Sequence, residues 1–233
     1  SLRGQKETNM ANETGGFGLR SAMTLGNTPA TQGLSEYPIE TAPGQGLYQN
    51  NPASKQGAGA TGYLQDAANT AMDDGITGGY QWANNTANIQ PMAGVFNGAF
   101  YISSSTSKPT WANFIASGTA FGTDYNTGSS DGIGFVNDDP NQEYVVKADA
   151  AVTIAAMIPD LTYNIEDGGT VATSTSGQST IKLDIGSSAA SGAGQAAFYI
   201  KRVANDPLNT DNSAINSNVI VAFAPGSIGS TNY

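Results

Sequence analysis

The stretch 132–147, GIGFVNDDPNQEYVVK, joins two apolar runs of strand character through a short polar segment. Asn, Asp and Pro fill this segment, and these residues favour tight turns because Asx side chains accept hydrogen bonds from nearby backbone amides and proline fixes φ near about −65°. The stretch therefore predicts a β-hairpin or a tight β-corner. Its most diagnostic residues are Asp138, Asp139, Pro140 and Asn141.

Further strand candidates lie on both sides of this turn. The apolar run 92–103 contains Gly94 and Gly98, which suits a buried strand with a bulge or a close backbone approach. Residues 179–185 alternate apolar and polar side chains, as a strand with one buried face does. Other apolar segments lie at 148–158, 161–165, 196–203 and 217–224. Roughly seven to nine short strands predict an all-β fold, a single antiparallel β-barrel or sandwich with long surface loops and little helix.

The domain prediction has two parts. Residues 1–33 are expected to form an extended N-terminal arm, and residues 34–233 the β domain, with a long loop excursion at about 49–88 where apolar residues are sparse. An arm of this kind docks apolar anchors on a neighbouring molecule, and a terminus without fixed structure is the alternative. The predicted anchors are Phe17, Leu19, Met23 and Leu25.

Composition excludes several classes of function. The chain has a formal charge of −10 and nine Lys and Arg residues, which are scattered, so a nucleic-acid partner is disfavoured. It contains neither cysteine nor histidine, which excludes thiol nucleophiles, His-based triads and Cys/His zinc sites. No apolar run approaches the length of a membrane span. We therefore expect no cofactor, no metal and no membrane partner.

Carboxylates near the turn invite two chemical readings. Asp131, Asp138, Asp139 and Glu143 are hard oxygen ligands for calcium, but their spacing fits no calcium loop, so turn formation is the better explanation. Asp124 and Asp131 could form an acid/base pair, although no pocket is identifiable from the sequence. No catalytic residue is predicted.

Aromatic residues allow a sugar-binding face. Trp82, Trp111, Tyr80 and Tyr101 could stack on sugar rings, while core or interface anchoring is the commoner role of aromatics in β proteins.

An ordered set of motifs resembles a family of tailed-phage virion proteins, small β-rich structural proteins found beside major capsid genes. The most specific part is the order KPTW, then DDPN followed by a strand, then TSGQS, and the KPTW residues Lys108, Pro109 and Trp111 are diagnostic. The segments that carry the resemblance are GGFGLR (15–20), SEYPIE (35–40), AGVFNGAFYI (93–102), KPTWANF (108–114), FVNDDPNQEYVVKADA (135–150), TSGQSTIKLDIG (175–186) and FYIKRVANDPLN (198–209).

The resemblance implies a capsid decoration, or cement, protein on the outer surface of a phage head. Its expected partners are the major capsid protein and copies of itself, as a dimer or trimer on the lattice. No enzymatic activity is implied. Two alternatives stay open, which are a tail or head-fibre component and a sugar-binding adhesive module of the virion.

Overall fold

The computed structural model describes residues 12, 14–24, 28–29, 33–44, 46–55, 62–67, 79–80, 92–158, 161–166, 177–186, 190–191, 197–206, 209 and 214–224. The strands within these residues are, in chain order, β1 (Arg20–Thr24), β2 (Thr28–Pro29), β3 (Ser35–Ile39), β4 (Pro52–Lys55), β5 (Leu64–Asp66), β6 (Gly79–Tyr80), β7 (Met92–Ile102), β8 (Pro109–Ala112), β9 (Gly132–Asn137), β10 (Gln142–Lys147), β11 (Leu161–Thr162), β12 (Asn164–Glu166), β13 (Lys182–Asp184), β14 (Ala190–Ser191), β15 (Phe198–Val203) and β16 (Asn218–Phe223). One 3₁₀ turn, Ile154–Met157, interrupts them.

Two larger sheets dominate the described part of the chain. One has five strands in the order β15-β16-β10-β1-β2, and the other has the order β3-β9-β7-β4-β5 with β8 added beside β7. The described residues also form two small sheets, β11-β14 and β13-β12-β6. Within the described residues the strands pair antiparallel and do not close into a barrel, so the all-β prediction is confirmed in its sandwich-like form.

The segment 137–142 is a corner between the two larger sheets. β9 belongs to the six-stranded sheet and β10 to the five-stranded one, so the two strands do not pair with each other. Inside the corner the amide of Asp139 donates to Asn137 Oδ1 (3.3 Å) and the amide of Asn141 donates to Asp139 Oδ1 (2.8 Å). The Asx chemistry predicted from the sequence is therefore present, and it produces a β-corner rather than a hairpin.

Strand β7 contributes to two apolar cores. Met92 and Val95 join a core built mainly by the five-stranded sheet, whereas Ala93 and Phe96 join a second core beneath the six-stranded sheet. The register along β7 shifts near Gly94 and near Gly98, which have φ angles of +146° and +155°. These shifts confirm the predicted bulges, and they change which core each following side chain faces.

The prediction of a docking arm is wrong for residues 14–24. β1 pairs with β10 of its own chain, and the Leu19 side chain is fully buried in the first core. The amide of Leu19 also donates to Asn50 O at 2.9 Å. β10 needs a partner on this side, and the apolar Leu19 stabilises the chain's own core, so this segment is an internal strand. Leu25 and most of the predicted arm lie outside the described residues.

The predicted loop excursion at 49–88 also needs correction. Within it, β4 and β5 pair with each other and β4 pairs with β7, so both are part of the six-stranded sheet. Ala53 and Leu64 are buried in the second core. Ala53 of β4 pairs with Gly94 at the bulge of β7, where the side chains are small. Because β4 has the sequence PASK, it shows no alternation of large apolar and polar residues from which a strand could be predicted.

The apolar run 148–158 is a connection that lies on the first core rather than a strand. Ala148, Val152 and Ala156 are buried in that core, and the 3₁₀ turn lies within the run. Residues 179–185 match the prediction better, because Ile181 and Leu183 are buried and Ile185 packs against the same core, although the strand itself covers only Lys182–Asp184.

Candidate binding surface

One face of the six-stranded sheet carries an aromatic strip, which consists of Phe100, Trp111, Ile133 and Phe135. Trp111 pairs with Phe100 across β8 and β7, and Phe100 pairs with Ile133 across β7 and β9. Directly paired residues point to the same side of a sheet, and Phe135 shares that side because it lies two residues from Ile133. The four side chains therefore form one surface, which we call the Trp111 strip.

Trp111 is the most exposed member of the strip, with 70% of its surface accessible. Its indole lies 4.9 Å from the Phe100 ring centroid, tilted by 53°, and 5.2 Å from the Phe135 ring centroid, nearly parallel at 15°. Gly98 is the cross-strand partner of Phe135 and has no side chain to separate the two rings. The indole is thus held by two rings while much of its surface stays open to solvent.

Polar groups border the strip. Glu36 pairs directly with Phe135 across β3 and β9 and is exposed. Asn113 is also exposed. Its Cα atom lies close to Gly98 on the strip side of the sheet, 3.9 Å from the position that a Cβ atom on this glycine would occupy. Lys108 and Pro109 are exposed at the start of β8. The strip therefore combines aromatic rings with hydrogen-bonding side chains at its edges.

The other aromatics named for sugar stacking fall elsewhere. Tyr101 is half-buried on the opposite face, with its ring centroid 4.6 Å from that of Phe121. Trp82 and the side chain of Tyr80 lie outside the described residues.

The carboxylates near the corner do not converge. Asp138 Oδ2 accepts a hydrogen bond from the Tyr37 hydroxyl (2.9 Å), and Asp139 forms the Asx turn. Asp131 Oδ2 accepts from the hydroxyls of Tyr63 (2.9 Å) and Ser129 (2.8 Å). Asp124 Oδ1 accepts from the amide of Asn126 (2.8 Å). These carboxylates bond within their own loops or to a distant tyrosine, and across the described residues no group of acidic side chains has metal-site geometry.

Glu143 has a different environment. Its side chain is 2% exposed and pairs with Lys201 Nζ, while Arg202 Nη2 lies 3.9 Å from its other oxygen. The register of β15 against β16 shifts between Ile200 and Arg202, and the resulting bulge directs both neighbouring bases toward Glu143. This cluster was not predicted from the sequence. The available signal was the pair of adjacent basic residues Lys201 and Arg202 within a predicted strand.

Two further predicted arm anchors, Phe17 and Met23, contact their own chain. The Phe17 ring lies 4.7 Å from the Arg20 guanidinium carbon and 5.9 Å from Lys147 Nζ. Met23 is half-buried, and its carbonyl accepts a hydrogen bond from Gln142 Nε2 at 2.9 Å.

A second exposed apolar feature is the isoleucine pair, Ile154 and Ile158. Their side chains are 85% and 48% exposed. Between them Ala156 is buried in the first core, and its carbonyl accepts a hydrogen bond from the Tyr163 hydroxyl at 2.9 Å. The pair is therefore presented on a segment that is fixed to the core.

Comparison with protein-family models, with curated proteins and with solved structures found no match to this chain. In the described part of the chain, no helix has the length and apolar character needed to cross a membrane. The resemblance to phage virion proteins stays a prediction.

Proposed function

We propose that this protein is a non-enzymatic capsid decoration protein that binds the outer surface of a phage head. The proposal rests on the ordered motifs that resemble the virion family. Its partners would be the major capsid protein and further copies of itself on the lattice. A protein that binds only the assembled shell stabilises that shell by mass action, and repeated weak contacts suffice because the lattice supplies avidity.

The contacts between the motifs support a shared structural role for them. Trp111 of KPTWANF stacks on Phe135, which lies two residues before the corner, and Phe114 of the same motif packs against Gly177 of TSGQS. Three segments that are distant in the sequence are thus joined through residues 108–114. Contacts of this kind between distant segments suit a protein that must hold a fixed position across subunit boundaries.

The isoleucine pair is the observation that carries the proposal furthest. Ile154 and Ile158 expose aliphatic surface to water on a segment whose neighbouring residues are anchored in the core. Burial of such side chains against a partner contributes about 1.5–3 kcal/mol each when it is complete. Aliphatic anchors on a pre-ordered segment suit a protein interface, because little conformational entropy is lost on docking.

Purified heads that lack the protein provide the test. Wild-type protein is added back, and bound copies are counted after sedimentation. We expect Ile154→Asp combined with Ile158→Asp to reduce occupancy strongly, since two charges would be desolvated at the interface. Tyr125→Asp is the matched control, because Tyr125 is 87% exposed on a different loop.

Two results would contradict the proposal or its assigned interface. One is a wild-type protein that does not bind heads, and binding to tails instead would favour the tail or fibre alternative. The other is a double variant that occupies heads as well as wild type does, which would contradict the assigned interface at the isoleucine pair and leave the decoration function itself standing.

A further inference from the structure

We propose that the Trp111 strip is a binding site for a neutral polysaccharide. This activity is separate from shell binding, and it uses a different surface from the isoleucine pair. It makes the exposed aromatic face a second functional site of the protein.

The aromatic chemistry of the strip favours sugar. The C–H faces of a pyranose ring pack against aromatic rings, and sites for small ligands combine such apolar platforms with a few placed polar groups. Trp111 supplies the most open ring, with Phe100 tilted against its indole at 4.9 Å and Phe135 stacked on it at 5.2 Å. Because the indole is already ordered, binding costs little side-chain entropy.

The bordering side chains match the hydroxyl groups of a sugar. Glu36, directly across from Phe135, carries carboxylate acceptors, and Asn113, whose Cα atom lies near Gly98, carries an amide that can both donate and accept. Together they flank the ring platform with the two kinds of hydrogen-bonding group that sugar hydroxyls need.

The size of the strip fits a short run of sugar rings. Pro38, which pairs with Ile133, extends the row of Trp111, Phe100 and Ile133 to four strands, and this row is about 14 Å long. The step along β9 from Ile133 to Phe135 gives a width of about 7 Å. Measured between backbone positions, the resulting footprint is on the order of 100 Å². A short run of sugar rings covers such a footprint fully.

Charge selects a neutral sugar. The chain has a formal charge of −10, and Glu36 lies within the border of the strip. Anionic polysaccharides would be repelled by this field, and Lys108 at the start of β8 does not reverse the overall sign. The expected ligand is therefore an uncharged glycan such as a glucan, a mannan or a galactan.

Affinity electrophoresis through gels that contain a β-glucan, a mannan or a galactan tests this site, with alginate as the anionic comparison. Wild type should be retarded by at least one neutral polysaccharide and not by alginate. Trp111→Ala should weaken retardation about tenfold or more, as loss of a central Trp anchor does, and Trp111→Phe should retain part of it. Tyr125→Ala is the control for an exposed aromatic elsewhere, and thermal melts establish that each variant is folded.

The same variants are added to heads in parallel, where we expect Trp111→Ala to bind normally. The site is overturned if no neutral polysaccharide retards the wild type, if alginate retards it more strongly, or if Trp111→Ala migrates as wild type does. It is also overturned if Trp111→Ala instead loses head binding while Tyr125→Ala keeps it, which would make the strip a protein interface. Failure of wild type to bind heads, with sugar binding intact, would count against the decoration function alone.

Discussion

The Trp111 indole stacks on the Phe135 ring although their strands, β8 and β9, are separated by β7. Gly98 on the intervening strand makes this contact possible, because it places no side chain between the rings. Trp111 is 70% exposed, so the stack contributes more to shaping the surface than to the core.

We therefore expect Trp111→Ala to lower the free energy of unfolding by only about 0.5–1.5 kcal/mol, the typical value of an aromatic pair. Urea denaturation measures this change, with Tyr125→Ala expected to stay within about 0.5 kcal/mol of wild type. A loss beyond about 3 kcal/mol would mean that Trp111 is a core residue rather than a surface platform.

The corner between the sheets depends on an acceptor rather than on a charge at position 139. Asp139→Ala removes the acceptor for the Asn141 amide and should destabilise the protein by about 0.5–2 kcal/mol, as loss of an Asx or cap contact does. Asp139→Asn keeps a side-chain oxygen and should cost less than about 0.5 kcal/mol. If both variants lose the same stability in urea, the carboxylate charge is what matters, and the turn interpretation is wrong.

The pair Glu143 and Lys201 should respond asymmetrically to substitution. Lys201→Met leaves a carboxylate that is 2% exposed with Arg202 3.9 Å away as its remaining partner, and we expect a loss of about 1.5–3 kcal/mol, the value of a hydrogen bond to a charged group. Glu143→Gln leaves Lys201, which is 27% exposed and can turn to water, so it should cost less. Chemical denaturation of both variants tests the order, and an equal or reversed order would contradict the assignment.

Asp149 links stability to pH. Desolvation raises the pKa of Asp149, the Asp184 carboxylate adds to the rise, and backbone hydrogen bonds from Ile185 and Gly186 oppose it. Because the folded carboxyl group holds its proton more tightly than the unfolded one, native stability falls as pH rises from the unfolded pKa through the raised one.

Asp149→Asn keeps an oxygen that can accept from the Ile185 amide (2.6 Å) and cannot ionise. The difference in the free energy of unfolding between Asp149→Asn and wild type should therefore increase as pH rises from the unfolded pKa of Asp149 through its raised folded pKa. Above that range the difference should stay constant. Urea titrations at a series of pH values measure the difference, and a difference that is constant or falls with pH would contradict the assignment.

Local chemistry explains which parts of the fold could be predicted. The corner follows from Asx and proline preferences at 137–141, and the bulges of β7 follow from Gly94 and Gly98, since these residues act through their own backbone. Each signal is contained in a few neighbouring residues and needs no knowledge of a distant partner.

The predictions that were wrong or missing concern features that depend on residues distant in the sequence. Whether β1 adds to its own sheet or to a neighbour depends on the distant edge of β10, and β4 has small side chains without alternation. The exposure of Trp111 could not be read from KPTWANF, because it depends on Gly98 and Phe135 in other strands. The candidate surface is thus a product of strand pairing, which a linear pattern does not specify.

A cryo-EM reconstruction of the virion tests the decoration function most directly. We expect density for this two-sheet body on the outside of the head, at lattice positions that bridge shell subunits, in a copy number comparable with that of the major capsid protein. Density confined to the tail or to a few fibres, or located inside the shell, would contradict it.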